Sequence, residues 1–543
     1  MNQQRVDVDV AIVGAGPCGL TMANLLGLSG LSVIVLEKNE STVDEPRAVS
    51  IDDESLRTMQ AIGLAEEVTS RAMLDYGSLY VDANGKSFAF VHPTTREFGY
   101  PRRNAFHQDI LEDQLRRGLD RCPHVGLLFR HEVIAFQQRL GHVEVDVRTP
   151  DGGRRAIRAT FLIACDGARS TVRSLLGIAM SGHTYRERWL IVDIEDTKDE
   201  CRHTRVMCDP ARPGITLPGP GGTRRFEFRL NVGETEEDML REPVVRGLMR
   251  RAGPDGDARI RRKVVYAFHA RMAERWREGR VFLAGDAAHL SPPFAGQGMN
   301  SGVRDAHNLA WKIAAVVQGT LGQGALDSYE TERRPHAWAL ILMAVRMGRV
   351  FMPPSPAVAR ATCTLFRLAG RYPPLRDYFS QMKYKPKPRF AAGLFVSDGR
   401  RARHTRTGRL FPQPVLETAD GDQVLLDDVL RNRFACIAYS ANPGRLFDAT
   451  NDPLFDRLDV VHVGIVPASS PLVGEVPGAH ILRDHNGDVG SYCAGTESLV
   501  LLRPDRYVMA VLPPATPRQV LDRLVALVRA TDEPAGGAVR GMS

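Results

Sequence analysis

Val8-Asp-Val-Ala-Ile-Val-Gly-Ala-Gly-Pro-Cys-Gly19, followed downstream by Leu31-Ser-Val-Ile-Val-Leu-Glu37, decides the fold. The apolar run 8–13 has the length and composition of a strand buried on both faces. A helical stretch from Leu20 to about Gly30 leads to a second such strand at 31–36. The result is a βαβ unit carrying G-x-G-x-x-G, with an acidic residue just past its second strand. Gly14 permits the tight turn, Gly16 lets a pyrophosphate approach the backbone, and Gly19 lets helix and strand pack closely. The unpaired amides at the helix N-terminus face that phosphate. Glu37 is placed to accept hydrogen bonds from a ribose diol. The pattern specifies an adenine dinucleotide, and on its own it does not distinguish NAD from FAD.

The rest of the chain must be organised around this unit. With 543 residues and 60.0 kDa, it is too long for one core and implies about two to four domains. A 43% apolar and 25% charged composition excludes a mainly disordered chain. The net charge of +7 and pI of 9.0 raise the question of a nucleic-acid partner. Only eight basic residues are lysine against 63 arginines. The most basic stretch, Lys383–Arg389, lacks the aromatic interleaving of a nucleic-acid site, so no such partner is expected. The eight cysteines include no C-x-x-C pair, so neither a disulfide framework nor a zinc site is expected, and no metal is assigned. The start of the chain lacks signal-peptide character and no membrane span is found, so the protein is expected in the cytoplasm.

Two later segments choose between the dinucleotides. Phe161-Leu-Ile-Ala-Cys-Asp-Gly-Ala-Arg-Ser-Thr-Val-Arg173 reads as a strand, a turn and a helix start. Arg280-Val-Phe-Leu-Ala-Gly-Asp-Ala-Ala-His289 reads as a strand ending in Gly285-Asp286. The glycine-rich loop Pro292-Pro-Phe-Ala-Gly-Gln-Gly-Met-Asn300 and a long helix follow it. With the first glycine motif, this trio resembles the single-component FAD-dependent aromatic hydroxylases (class A flavoprotein monooxygenases), in their phenol hydroxylase branch. The likeness covers essentially the whole chain. Pro46-Arg-Ala-Val-Ser-Ile-Asp-Asp-Glu-Ser-Leu-Arg-Thr-Met-Gln60, Phe98-Gly-Tyr-Pro-Arg-Arg-Asn-Ala-Phe-His-Gln108, Arg224-Arg-Phe-Glu-Phe228 and Gly233-Glu-Thr-Glu-Glu237 are most similar to the 3-(3-hydroxyphenyl)propionate hydroxylases. Leu290-Ser-Pro-Pro-Phe-Ala-Gly296 instead looks like the phenol and polyketide-tailoring hydroxylases.

The resemblance implies an α/β fold. It comprises a Rossmann-like FAD domain of the p-hydroxybenzoate hydroxylase type, a β-sheet substrate domain and a thioredoxin-like C-terminal domain. The expected FAD domain is discontinuous, over 1–74, 106–185 and 276–345, and the substrate sheet covers 75–105 and 186–275. A helical segment and linker fill 346–407, and 408–543 forms the C-terminal domain, without thiol chemistry for want of C-x-x-C. A homodimer is one role that domain would serve.

The resemblance also implies the chemistry: NADH or NADPH reduces FAD, dioxygen gives a flavin C4a-hydroperoxide, and hydroxyl passes to a phenolic ring ortho or para to its hydroxyl group. The substrate implied is a small phenolic acid of the 3-hydroxyphenylpropionate type, with a polyketide or other phenol as the alternative. Gly14, Gly16, Gly19, Glu37 and Lys38 are expected at the ADP half of FAD, and Arg47 and Gln108 beside the cofactor. Asp166, with Arg169 and Arg173, is expected near the pyrophosphate, and Asp286 at the ribityl chain. Gly298, Met299 and Asn300 would present helix amides to the flavin ring. Asp52 is the first candidate for a base on the phenol, with Asp53 beside it, and Pro293 and Phe294 would wall the site. His203, Arg205, Arg224 and His269 are candidates to bind a substrate carboxylate. A flavin halogenase is excluded, because the tryptophans at 189, 276, 311 and 338 cannot form W-x-W-x-I-P. A non-enzymatic flavin binder and an oxygenation of the Baeyer–Villiger or decarboxylating kind are the remaining rivals.

Overall fold

A computed structural model describes residues 7–42, 47–401, 403–471 and 476–532. Residues 1–6 of the N-terminal reading, Pro46 and the last residues of the C-terminal domain lie outside them. The nucleotide sheet has the strand order Arg277–Glu278, Val281–Leu283, Arg154–Ala164, Val8–Val13, Val33–Leu36, Val125–Leu128. Its inner pairings are parallel, and the hairpin Glu132–Gln138/Val143–Arg148 is added on Arg154–Ala164. Val10, Ile12, Leu162 and Phe282 are fully buried, as befits strands covered on both faces. The helix Pro17–Leu28 starts directly after Gly16 with proline in its first turn, where the missing N–H costs nothing. It packs against the helix Gly298–Val317. They approach so closely that a Cβ on Gly302 would stand 3.2 Å from Gly285 Cα and 3.4 Å from Cys18 Cβ.

A second sheet covers the first domain. Its order is His289–Leu290, Arg259–Ala273, Met180–Glu195, Arg224–Arg229, Gly214–Pro218, Thr204–Met207, Ser78–Val81, Ser87–Val91. All its pairings are antiparallel except Thr204–Met207 with Ser78–Val81. One face carries Leu190, Val192, Phe226 and Phe228 against Val245 and Met249 of the helix Glu242–Ala252. The other carries Tyr80, Trp189, Val206, Ile215 and Phe268 against Phe294 and Phe351. The strands are thus buried on both sides, which is why they alternate so little in polarity.

The expected boundaries at 185 and 345 fall inside continuous elements, the strand Met180–Glu195 and the helix Ser328–Phe351. Splitting either would break its backbone ladder, so nucleotide and covering layers share elements rather than meeting at a hinge.

The C-terminal sheet runs Gln423–Leu425, Val415–Glu417, Ala479–Asp484, Val461–Pro467, Ala435–Tyr439, Ser498–Leu502, Val508–Leu512. Its centre is parallel and its last two pairings are antiparallel, a thioredoxin-like arrangement. Buried charges fasten it to the nucleotide domain. Arg503 pairs with Glu332 and Asp505, each at 2.6 Å, and Lys312 with Glu332 at 2.7 Å. Arg57 meets Asp427 at 2.6 Å, and Arg506 reaches the same carboxylate at 3.1 Å. A part of the arginine excess is therefore internal: these three guanidiniums, whose fork geometry suits bidentate pairing, bind the chain's own carboxylates.

Candidate active site

Three loops converge where the two long helices begin. The first is the glycine turn. Gly14 sits at φ +102°, and a Cβ there would meet Cys165 O at 2.5 Å. At Gly16 a Cβ would meet nothing within 4 Å, so the helix N-terminus opens onto free space. Glu37 closes the turn: its Oε2 accepts from Ala15 N at 2.9 Å, and its Oε1 accepts from Asn39 N at 2.9 Å. Lys38 is exposed. The second loop holds Asp286, exposed between buried Gly285 and Ala287, with no side-chain hydrogen bond among the described residues. The third is Gly298-Met299-Asn300 at the start of Gly298–Val317, whose first-turn amides have no intrahelical acceptors. Gly298 also faces open space.

An open phosphate cradle, a carboxylate without a hydrogen bond and a free helix N-terminus on one side of the nucleotide sheet fit FAD. Gly14, Gly16 and Gly19 with Glu37 would hold its ADP half, Asp286 would take ribityl hydroxyls, and the Gly298–Asn300 amides would face the ring.

Other expected cofactor residues act behind this groove. Gln108 is buried; its Oε1 accepts from Ala48 N at 2.7 Å and its Nε2 donates to Glu112 at 2.7 Å. It therefore positions the Arg47 segment. Arg47 is exposed, and its carbonyl accepts from Arg225 Nη1 at 2.7 Å. Asp166 Oδ2 accepts from Val172 N at 3.2 Å, capping a short helix. Arg173 donates to the carbonyls of Ala287 and Ala168, clipping two loops together, while Arg169 is exposed. The Asn300 side chain is fully spent: Oδ1 accepts from Asp52 N and Ser55 Oγ, and Nδ2 donates to Ser50 O and Gly296 O. Only its backbone remains for a flavin.

Asp52 is not placed as a free base. It caps the helix Asp53–Ala61, accepting from Ser55 N at 3.0 Å, and it pairs with Arg304 and, at 3.1 Å, with Lys385. Burial alone would raise its pKa, but the Arg304 and Lys385 charges hold it below the ordinary carboxylate range. A carboxylate so stabilised is a weak proton acceptor. Glu54 shares both cations: burial would raise it, but the Arg304 and Lys385 charges hold it well below the ordinary carboxylate range. Asp53 behaves oppositely: burial, with Asp52 and Glu54 adding to it, pushes it up to about 6 against the pull of Lys385 and Arg102. The expected linker Lys383–Arg389 thus supplies a counter-ion, Lys385, whose side chain is 12% exposed.

The substrate-side candidates are likewise corrected. Arg205 is paired with Asp199. Arg224 is 2% exposed and donates to the carbonyls of Asp199 and Cys201. His203 Nδ1 accepts from Gly77 N at 3.0 Å, and His269 bonds Thr184 at 3.1 Å. Burial first of all lowers both histidines. None of the four offers an uncommitted cation. Pro293 is exposed rather than walling the site. Phe294 is buried, with ring centroids 5.7 Å from both Trp189 and Phe268 and 6.1 Å from Phe351.

Two residues the sequence reading left without a role stand out on this apolar face. Arg103 is half-buried, lies with Cζ 4.5 Å from the Tyr76 ring centroid and donates to Ser78 Oγ, yet has no acidic partner among the described residues. Its neighbour Arg102 does, in Glu97 at 3.1 Å and Asp53 at 3.6 Å. Glu227, inside the quoted Arg224–Phe228 stretch, is 5% exposed, with Arg225 as the nearby opposite charge and no side-chain hydrogen bond or ion pair among the described residues. Strand alternation around Phe226 and Phe228 would have pointed to it.

The family model described as an FAD binding domain matches residues 7–344, more than half of the chain. The chain belongs to the FAD-dependent aromatic hydroxylases. A second model, the HcaD C-terminal domain, matches 408–527 of this hydroxylase. The 3-(3-hydroxy-phenyl)propionate/3-hydroxycinnamic acid hydroxylase of Escherichia coli O81 (strain ED1a) is 40% identical over 531 residues, covering 96% of this chain and 95% of that one. The enzyme of the same name from Klebsiella pneumoniae is 40% identical over 511 residues, 93% and 92% of the two chains. Among solved structures, the flavin-dependent monooxygenase PieE in complex with FAD and substrate superposes with a TM-score of 0.81 at 22% identity, covering 97% of this chain and 100% of that one. As a hydroxylase of this family the protein uses FAD, NAD(P)H and dioxygen. No helix among its described residues is long and apolar enough to cross a membrane.

Proposed function

We propose that this hydroxylase acts on a small phenolic acid of the 3-hydroxyphenylpropionate type, adding oxygen ortho or para to the phenol. The observation that carries the reading is Arg103, a guanidinium without an acidic partner among the described residues, beside a largely apolar face. Alternation puts Ser78 on the same face of its strand as Tyr80, and Tyr80 belongs to the cluster containing Phe294. A carboxylate reaching that edge would find a planar, bidentate donor already held by Tyr76 and Ser78. The names of the relatives support the same class.

FAD, when bound, accepts a hydride from NAD(P)H and activates dioxygen for transfer of one oxygen atom to the ring. This chain's residues would do the rest. Phe294, Trp189 and Phe268 exclude water from the ring's surroundings, and Arg103 orients the acid so that the phenol points away from it. A multi-ring substrate would have to displace Phe294 from three aromatic contacts, which favours the smaller phenol. Use of NAD(P)H and eight free cysteines support action in the cytoplasm.

The test is a panel of phenolic acids and their methyl esters, scored by NAD(P)H oxidation, peroxide release and product mass. Tight coupling and a product heavier by one oxygen with an acid, but not its ester, are expected. A panel in which no phenol accelerates NAD(P)H oxidation would overturn the reading.

A further inference from the structure

The strand Arg224–Arg229 lies between Met180–Glu195 and Gly214–Pro218 in the covering sheet. Phe226 and Phe228 point to the helix Glu242–Ala252, so Arg225 and Glu227 point the other way. Glu227 stands directly opposite Ile191 on one neighbour and Ile215 on the other. Cross-strand partners share a face, and Ile215 packs in the cluster of Trp189, Phe268 and Phe294. Glu227 is therefore a carboxylate set into the apolar wall of the substrate side.

Its neighbour Arg225 is accounted for. It holds Asp193 with two bonds of 2.6 and 3.0 Å and reaches the Arg47 carbonyl, fixing the sheet to the cofactor segment. Glu227 has no such bond among the described residues. A buried carboxyl without a partner is costly, and an apolar residue would pack there at less expense.

We propose that Glu227 is the group that receives the hydrogen of the substrate's phenolic hydroxyl and accepts its proton when the ring is attacked. The inference rests on the phenolic reading above. In the step, the phenol O–H bond breaks, its electron pair stays on the ring oxygen, and a new O–H bond forms on the Glu227 carboxylate. The proton returns to the phenol oxygen after hydroxylation, so no further reagent is needed. The electrostatics suit the task. Burial, helped by Asp193 and opposed by Arg225, pushes Glu227 up to about 7. It is then partly ionised near neutrality and closer to a phenol, near 10, than an exposed carboxylate would be. The charged and titratable groups around it are Arg225 on its own strand, Asp193 on Met180–Glu195, and Arg262 and Tyr266 on Arg259–Ala273. Arg262 lies 4.0 Å from Asp193, and Gly214–Pro218 contributes no charge.

The test compares holoenzymes of the wild type, Glu227→Gln and Glu227→Asp on a phenol that the wild type hydroxylates. Three readouts are taken: the pH dependence of kcat/KM, the fraction of NAD(P)H converted to product, and the ultraviolet phenolate band of bound substrate. Gln keeps the size and burial of the protonated acid, so a merely structural role would leave all three readouts unchanged. The expected result is a wild-type kcat/KM that rises through pH about 7. In Glu227→Gln that rise is absent, hydroxylation falls by about 10²–10⁴-fold, and the bound phenol stays neutral, while Asp restores part of each. A Gln variant with the wild-type profile and coupling overturns the proposal for Glu227 and leaves the substrate reading intact. So does a wild type whose bound phenol titrates as it does in water. A wild type that hydroxylates no phenol overturns both.

Discussion

Arg304 grips Glu54 with two nitrogens, Nε to Oε2 at 2.8 Å and Nη2 to Oε1 at 3.0 Å, inside a site where both side chains are about 6% exposed. The pair fastens the second turn of the helix Gly298–Val317 to the start of Asp53–Ala61, and so fixes the amides proposed to face the flavin.

Removing one partner should therefore cost stability more than chemistry. Glu54→Gln leaves Arg304 and Lys385 under-compensated in a buried site and is expected to lower stability by about 3–5 kcal/mol in urea unfolding of the holoenzyme. Asp52 and Glu54 both have depressed folded pKa values. Their contribution is present above the unfolded value near 4 and is lost as pH falls through the folded values. Stability should fall with acid in the wild type and less steeply in Glu54→Gln.

Asp53 should show the reverse sign. With its folded pKa raised to about 6, it penalises the folded state as pH rises from about 4 to above 6. Asp53→Asn, which can still accept from Glu54 N, is expected to stabilise at pH 7.5 by about 1–2 kcal/mol and to have little effect at pH 4. Chemical denaturation at the two pH values checks it.

Asp286 separates cofactor binding from folding. Its side chain makes no hydrogen bond among the described residues, so Asp286→Ala should leave apoprotein unfolding within about 0.5 kcal/mol of wild type. FAD affinity should fall by about 10- to 100-fold, read by flavin fluorescence titration.

Arg103→Ala should discriminate between substrates. Loss of a charged hydrogen-bond donor is worth about 1.5–3 kcal/mol, so KM for a phenolic acid should rise by about 10- to 150-fold. KM for the matching methyl ester should not change. An equal rise for both would place Arg103 in folding rather than recognition.

Phe294→Ala removes three aromatic contacts and should cost about 3–5 kcal/mol of stability. Water admitted beside the ring should appear as extra peroxide per NAD(P)H consumed, measured with catalase.

The nucleotide half was legible because its signal is local. The glycines, Pro17 at the helix start and Glu37 lie within one βαβ unit, and each spacing reports one turn or strand end. Asp52 was misread because its partners are distant in the chain, Arg304 by 252 positions and Lys385 by 333. Nothing local distinguishes an acid that will be neutralised from one that will be left free. Lys385 was hidden in a basic, proline-rich stretch that has the composition of a linker. Arg205 and Arg224 had the right residue type on the right sheet, but their carboxylate and carbonyl partners come from the 197–201 loop, which periodicity does not describe. Glu227 needed only the alternation of its own strand, with Phe226 and Phe228 assigned to the outer helix.

The charges that fasten the C-terminal sheet have a consequence for how this enzyme can be shortened. Lys312, on the helix Gly298–Val317, depends on Glu332, and Glu332 is gripped by Arg503 from the last domain. A chain cut near 407 would strand an acid–base pair in a newly exposed surface and loosen that helix from behind. The reactive half is therefore expected to lose stability when cut from that layer. Nucleotide layer and C-terminal layer should then unfold in a coupled way, and a truncated chain should unfold at lower denaturant than the whole one.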